Sequence, residues 1–218
     1  MGPSSEIRTL IKILTNLFHH PIRTASNKKE ALKLIKTLFS GYAAATDAPA
    51  SGLVPELLEL YPNATVICTI RDLKSWGKSM EGVTSVSTLW FLKFVLLLVP
   101  GMRHFPDYIN KLREQWMTLY GDVGHEPHTV ETYERHIKWL KNVVPEDKLV
   151  FFNVKEGWEP LCKAFKKPVP QGLKFSKIND GEAIEKLAKI KITQGLVRWL
   201  LIFATISAAL VPMMWLRN

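Results

Sequence analysis

The sequence predicts an α/β fold, with a partial, doubly wound parallel sheet, helices on both faces and a C-terminal transmembrane helix. Residues 64–70 and 148–153 are short runs with strand composition, and each is followed by a helix-forming segment. The first run is apolar enough to be expected on a strand that is buried on both faces of the sheet. Repeated strand–helix units are typical of parallel sheets. The third observation is the run 199–216, which is strongly apolar and has no ionisable residue.

Composition restricts the classes of partner. The 218 residues include 29 basic and 20 acidic ones, a net charge of +9. This charge suits an anionic nucleotide or an anionic membrane surface and does not distinguish them; no nucleic-acid partner is predicted. With only Cys68 and Cys162, no disulfide framework or zinc spacing exists, and no metal is expected. No secretory signal is recognisable at the start.

The first sixty residues contain three helical patterns and one strand pattern. In chain order, the predicted elements are a helix at 7–18, a helix at 30–39, a strand at 42–46 and a helix at 51–61. The first helix is amphipathic, and its apolar stripe favours packing in the protein over lying on a membrane. The strand leads into Asp47, and Pro62 ends the last helix.

The stretch 61–80 is a strand that turns directly into a helix. Asp72 is a preferred N-cap residue, so Arg71 lies at the carboxyl end of the strand. Ligands of open α/β sheets bind outside these strand ends, and helix N-termini there favour phosphate. Arg71 supplies a planar fork of donors, and Ser79, eight residues on, adds a hydroxyl. The alternative is a surface arginine paired with Asp72 or a nearby glutamate.

The second half of the chain repeats the strand–helix pattern after an unusual apolar segment. Residues 88–101 are apolar except for Lys93 and too short to cross a bilayer, so they form a buried helix, an interfacial segment or a pocket wall. The remaining predicted elements are helices at 106–120 and 130–144, a strand at 148–153 and a helix at 155–165. Pro127 interrupts His125, Glu126 and His128, which favours a solvated loop over a metal site.

The order of strand, Arg71, helix and Ser79 resembles the 3′-phosphate-binding motif of sulfotransferases. Residues 42–79 and 145–170 resemble the fungal branch of this family, part of the P-loop nucleotide-hydrolase-like superfamily, and the likeness covers roughly residues 36–180. The resemblance implies a sulfotransferase-type sheet and 3′-phosphoadenosine 5′-phosphosulfate as co-substrate, bound through Arg71 and Ser79. It also implies a hydroxyl acceptor from small-molecule metabolism, and the apolar segment suggests that this acceptor is hydrophobic.

Asp47 occupies a position of interest in the same comparison. Better-known cytosolic sulfotransferases have, in the segment matching residues 45–49, a histidine that removes the acceptor's proton. A carboxylate serves as general base where burial raises its pKa, so Asp47 is the candidate catalytic residue. The alternative is that Asp47 caps the following helix, with Pro49 near its first turn.

One expected feature of the family is absent from the sequence. Its first strand is followed by a glycine-rich loop resembling G-x-P-R-T-G-T, and the chain contains no such sequence. Without it the phosphosulfate loses a nest of backbone amides, and the sheet lacks a central strand. A shortened gene product, a non-catalytic relative and a site completed by a homo-oligomer or another partner chain are the alternatives. The competing function is therefore a membrane-anchored binding or scaffold protein with a degenerate sulfotransferase fold.

The predicted regions are an amphipathic helix region at 1–27, a sulfotransferase-like domain at 28–180, a basic juxtamembrane helix at 181–194 and an anchor at 195–218. Tryptophans at both ends of the apolar run are typical of a transmembrane helix. Basic residues before the run, ending at Arg198, predict a single-pass C-terminal anchor with the globular part cytoplasmic. The alternative is an apolar helix that docks on the protein or drives dimerisation.

Overall fold

The computed structural model describes residues 3–19, 24–121, 130–175 and 181–215. Within them the chain forms nine α-helices and two parallel β-strands. The helices are α1 (Pro3–Phe18), α2 (Ala25–Leu38), α3 (Val54–Leu60), α4 (Leu73–Ser87), α5 (Leu92–Leu96), α6 (Phe105–Tyr120), α7 (Val130–Val143), α8 (Glu159–Ala164) and α9 (Gly181–Trp215). The strands are β1 (Val66–Ile70) and β2 (Leu149–Asn153), and short 3₁₀ turns lie at Ala50–Gly52, Glu146–Lys148 and Val154–Glu156.

The largest hydrophobic cluster joins α1, α2 and α6. Leu14 and Ile13 of α1 are fully buried, as is Ile35 of α2. Apolar residues at helical spacing place one face of α1 against the other two helices, which confirms the predicted packing role of this helix. Leu53 and Leu112 complete the cluster.

The two strands confirm the predicted parallel pairing. Ile70 pairs with Asn153, so the carboxyl ends of β1 and β2 are aligned at one edge. One face of the sheet packs through Cys68 against Leu140 of α7 and Val54 of α3. The α/β class is therefore confirmed, although the described part of the chain is mostly helical around a two-stranded sheet.

The opposite face of the sheet is only partly covered. Phe152 is buried beside the ring of Phe175, with 5.7 Å between ring centroids, but Thr69 is exposed. The expectation that the first strand is buried on both faces is therefore wrong. In the described residues β1 has one strand neighbour, β2, and its other edge pairs with no strand.

Two other sequence predictions are corrected by the structure. Residues 42–46 are irregular and exposed rather than a strand, because an alanine-rich segment after Gly41, at φ +85°, has little apolar surface to bury. The helix predicted at 155–165 is divided by Gly157, at φ +74°, into a 3₁₀ turn and α8. Pro160 lies in the first turn of α8, as predicted.

The last helix, α9, is continuous over 35 residues. It includes one candidate membrane span by length and composition, Ala183–Leu210, of which 6% is buried by the rest of the chain. Its amino-terminal half contacts α4 and α5, and Ile192 packs on a third cluster formed by Leu92, Leu96 and Val99. The predicted apolar C-terminal helix is confirmed by this finding.

The cluster around α1 supplies a stability test. We expect Leu14→Ala to lower the free energy of unfolding by about 2–5 kcal/mol, because it removes a fully buried side chain and leaves a cavity. Lys33→Ala, at an exposed position of α2, should change it by less than about 0.5 kcal/mol. Chemical denaturation of the full chain in detergent measures both, and equal effects would contradict the assigned core.

Candidate functional site

The candidate site lies at the sheet edge where both strands end. Arg71 and Asp72 follow β1 directly, and Lys155 lies two residues beyond the end of β2. Because Ile70 and Asn153 are paired, these following residues are brought to the same edge. Helix α4 begins here, so its free backbone N–H groups also face this edge.

Asp72 is the N-cap of α4, as the sequence predicts. Its carboxylate accepts a 2.8 Å hydrogen bond from the backbone N–H of Ser75. This N–H, together with the Ser75 side chain, lowers the pKa of Asp72, and the positive charges of Lys74 and Lys155 contribute in the same direction. The carboxylate is thus committed to ordering the first turn of the helix.

Arg71 is held through its backbone and exposed at its side chain. Its backbone N–H donates to the hydroxyl oxygen of Tyr133 at 3.1 Å, and its guanidinium Nη2 donates to the Ser75 carbonyl at 3.1 Å. Ser79 is exposed one helical turn beyond Ser75, on the same face of α4. Ser75 and Ser79 therefore share one face of α4, whereas Arg71 precedes its N-cap. Among the described residues the Arg71 guanidinium has one hydrogen-bond partner, so most donors of its fork remain for a ligand.

No functional role was predicted for Tyr133, although this residue anchors the edge. The residue lies in α7, is largely buried and packs against Trp76 of α4, with 5.1 Å between ring centroids. Its hydroxyl accepts the Arg71 backbone N–H, so one side chain joins β1, α4 and α7. No local motif reveals this, since the two residues are 62 positions apart.

Lys155 was also without an assigned role. A reciprocal cap precedes it: Asn153 Oδ1 accepts the Lys155 N–H at 3.0 Å, and Glu156 Oε2 accepts the Asn153 N–H at 3.0 Å. The Lys155 side chain is exposed, and its charge acts on Asp72 across the edge. Its position just after the second strand is the sequence signal that points to it.

Asp47 has an unusual backbone conformation. It adopts φ +64°, and its Oδ1 accepts a 2.8 Å hydrogen bond from the N–H of Ala48. It does not follow a strand, and its carboxylate accepts no capping hydrogen bond from the next turn, whose N-cap is Pro49, so both structural expectations are corrected. The exposed side chain lies in a segment fixed to α6, where the Tyr108 hydroxyl donates to the Ala48 carbonyl at 3.1 Å.

The structure holds the predicted site residues on different elements. Arg71 is held by Tyr133 of α7 and Ser79 lies within α4, whereas the segment that contains Asp47 is held by α6. Burial raises the pKa of Tyr108, and the nearby negative charge of Asp47 raises it further. The phenol is therefore a neutral donor at physiological pH.

An open cavity of about 370 Å³ adjoins the segment that contains Asp47. Its lining comes from α1, α2 and residues 42–50, and it includes apolar side chains of Leu10, Leu38 and Phe39. Small-molecule pockets are commonly apolar with a few polar groups, and Glu6 and Thr46 supply such groups here.

No group of three or more His, Cys, Asp or Glu side chains that could hold a metal ion occurs in the described residues. His125, Glu126 and His128, the superficial metal pattern of the sequence, lie outside these residues.

Comparisons with known proteins identify the family that this chain resembles. The model of a family described as "Sulfotransferase domain" matches residues 2–184. The "Ava biosynthesis cluster protein M" of Aspergillus versicolor is 29% identical over 140 residues, 60% of this chain and 52% of that protein. The chain thus spans about half the length of this relative. The family match extends beyond the expected 36–180 and includes α1.

The cap of α4 generates a prediction about pH. Because the pKa of Asp72 is lowered in the folded state, its ionised form stabilises the fold above the unfolded pKa of about 4. This contribution is lost as pH falls through the lower, folded pKa. We expect the stability advantage of the native chain over Asp72→Ala to be full near neutrality and to shrink in acid. Denaturation midpoints against pH measure it, with Asp147→Ala as an exposed control; a pH-independent difference would contradict the cap.

Proposed function

This chain belongs to the sulfotransferase domain family, and we propose that it transfers a sulfuryl group from 3′-phosphoadenosine 5′-phosphosulfate to a hydroxyl of a hydrophobic small molecule. The observation that supports this most directly is the position of Arg71, whose exposed side chain directly follows β1 at the edge where both strands end and α4 begins. A family relationship alone does not fix activity, so each part of the proposal needs its own support.

The donor's 3′-phosphate would bind at the Arg71 edge. The guanidinium makes one hydrogen bond to the Ser75 carbonyl and retains donors for phosphate oxygens, and Ser79 adds a hydroxyl. Lys155 and the amino end of α4 contribute further positive potential. The Asp72 carboxylate is turned to its cap with Ser75, which limits its repulsion of an incoming phosphate.

Asp47 is the proposed general base. Its carboxylate would accept the proton of the acceptor hydroxyl while that oxygen forms a bond to sulfur and the bond between sulfur and the phosphate oxygen breaks. The side chain is exposed in the free chain, so a bound apolar acceptor would have to cover it and exclude water for the carboxylate to act as the base. The adjoining cavity, with Leu10 and Leu38 in its lining, supplies an apolar place for such an acceptor.

The alternative function is a non-catalytic, membrane-anchored binding or scaffold protein. One sequence observation favours it: no G-x-P-R-T-G-T loop is present to hold the phosphosulfate. Removing a preorganised donor of this kind costs on the order of 10²–10³ in rate. A homo-oligomer or another partner chain that pairs with the open edge of β1 would be the route by which such a loop is supplied in trans.

We also propose membrane attachment for this protein. One C-terminal helix is long and apolar enough to be an anchor. We assign it as a single-pass anchor at 195–218 with a basic juxtamembrane helix at 181–194, an amphipathic region at 1–27 and a cytoplasmic α/β domain at 28–180. The basic residues that precede the apolar run support this orientation.

The first prediction of this proposal concerns nucleotide binding. The full chain in detergent should bind 3′-phosphoadenosine 5′-phosphate, and Arg71→Ala should weaken binding by about 1.5–3 kcal/mol, the usual loss for a hydrogen bond to a charged group. Lys155→Ala should have a smaller effect, because its contribution is mainly through longer-range charge. Lys33→Ala, which removes an exposed cation on α2, is the matched control. Isothermal titration calorimetry measures all four affinities.

Two outcomes of this titration would decide against parts of the proposal. Equal affinity of the native chain and Arg71→Ala would remove Arg71 from the phosphate site. A folded native chain that binds no nucleotide would leave the scaffold function as the better explanation.

The second prediction separates binding from chemistry. Asp47→Asn should keep the affinity for 3′-phosphoadenosine 5′-phosphate but slow sulfuryl transfer by at least ~10²-fold, because the amide cannot accept the proton. The assay follows transfer to a panel of phenols and long-chain alcohols, with Asp147→Asn as the control. An unchanged rate in Asp47→Asn would exclude this residue as the base.

A further inference from the structure

We propose that α5 and its flanking turns form a second membrane contact, lying in the interfacial layer of the bilayer that α9 crosses. The contact surface, termed here the α5 ridge, consists of Trp90, Lys93, Phe94 and Leu97. This inference rests on the proposed role of α9 as a membrane anchor. The second contact would also fix the position of the folded domain relative to the lipid surface.

The α5 ridge is apolar on the side that faces away from the protein. Trp90 is 91% exposed, Leu97 54% and Phe94 51%. The opposite side of the same short helix is buried in the cluster of Leu92 and Leu96. A helix that is apolar on both sides needs a second apolar environment, and large exposed patches of this kind mark interaction surfaces.

Contacts with α9 fix the ridge to the membrane helix. The Phe94 ring stacks on the Trp199 ring, with 4.1 Å between centroids and 12° between planes. The Trp199 Nε1–H donates to the Phe94 carbonyl at 2.9 Å, and the Arg198 guanidinium donates to the Leu98 carbonyl. These hydrogen bonds hold α5 and α9 together at a level where the Phe94 and Arg198 side chains are exposed.

Gly195 allows this close approach. A Cβ at that position would lie 2.3 Å from the Val95 carbonyl oxygen, which is too short for any side chain. The backbone of α9 therefore meets that of α5 directly. Residues 192–199 of α9 are the level at which the two helices touch.

The position of this contact along α9 identifies lipid as the occupant of the ridge. Beyond Trp199 the chain has no ionisable residue until Arg217. Residues 200–215 span roughly 24 Å as a helix, close to the bilayer's hydrocarbon thickness of roughly 30 Å. Trp199 would therefore lie where the helix enters the bilayer, and α5, stacked on it, would lie at the same depth. Tryptophan and other aromatic residues are enriched at this level.

Basic residues at the border of the ridge support the same occupant. The Lys93 side chain is 76% exposed and lies 3.4 Å from the Asp107 carboxylate. Arg103, later in the same segment, and Arg198, on α9, are also exposed. Long basic side chains beside apolar ones are typical of interfacial segments, where their heads reach anionic headgroups.

The test measures how deeply labelled positions of the chain lie in the bilayer. The vesicles consist of phosphatidylcholine with a minority of phosphatidylserine. Full chains carrying Trp90→Cys, Ile206→Cys or Thr37→Cys are labelled with an environment-sensitive fluorophore. The native Cys68 and Cys162 are buried, and the labelled native chain gives the background. Position 206 reports on α9, and exposed position 37 on α2 reports on the aqueous side. Quenching is compared for lipids spin-labelled at the headgroup and deep in the acyl chain.

We expect the emission of the label at position 90 to be blue-shifted and to be quenched most by the headgroup spin label. The label at position 206 should be quenched most by the spin label deep in the acyl chain. The label at 37 should respond to neither. Gly195→Leu should remove the response at 90 but keep that at 206, because it separates α5 from α9 without altering the apolar run.

Three results would overturn the inference. A water-like response at 90 with normal insertion at 206 would leave the anchor intact and remove the second contact. Water-like responses at both positions would remove the anchor as well. Protection of position 90 from aqueous iodide without lipid quenching would assign the α5 ridge to a protein partner, including a second copy of the chain.

Discussion

The parallel register of two short strands is the constraint on which the candidate site depends. Pairing of Ile70 with Asn153 brings Arg71 and Lys155, which are 84 positions apart in the sequence, to one edge. Tyr133 then fixes the Arg71 backbone, so the edge is held from β1, β2 and α7 together. A change of register by one residue would turn the following side chains to the opposite face of the sheet and separate the cationic groups.

Local signals in the sequence were sufficient for some parts of this arrangement and not for others. Asp72 was predictable as an N-cap because the residue type and the helix start are adjacent in the chain. Lys155 and Tyr133 reach the site only through strand pairing and helix packing, which a single sequence does not specify. The motif of Arg71 and Ser79 could be proposed from the sequence because both residues belong to one strand–helix unit.

The incorrect strand at residues 42–46 has the same explanation. Its composition is compatible with a strand, but a strand needs a neighbour and apolar surface to bury, and alanine supplies little of the latter. Asp47 was consequently expected at a strand end and is found in an irregular segment fixed by Tyr108. The apolar segment 88–101 left several interpretations open, because its environment depends on α9, about 100 positions later in the chain. The contacts with α9, among them the stacking of Phe94 on Trp199, show which helix this segment accompanies.

Groups that bind the 3′-phosphate and groups that act at the sulfuryl group would contribute differently to function. Contacts of Arg71 and Ser79 with a 3′-phosphate are remote from the sulfur atom and have similar strength before and during transfer. Such uniform binding increases affinity without lowering the barrier from the bound state, so it serves an enzyme and a nucleotide-binding scaffold equally well.

Catalysis requires groups whose interactions strengthen as the proton leaves the acceptor and charge develops on the departing phosphate. In this chain Asp47 is the candidate for the first of these tasks, and the sequence has no phosphosulfate loop for the second. Nucleotide affinity alone therefore cannot distinguish the two functions; the dependence of turnover on Asp47 can.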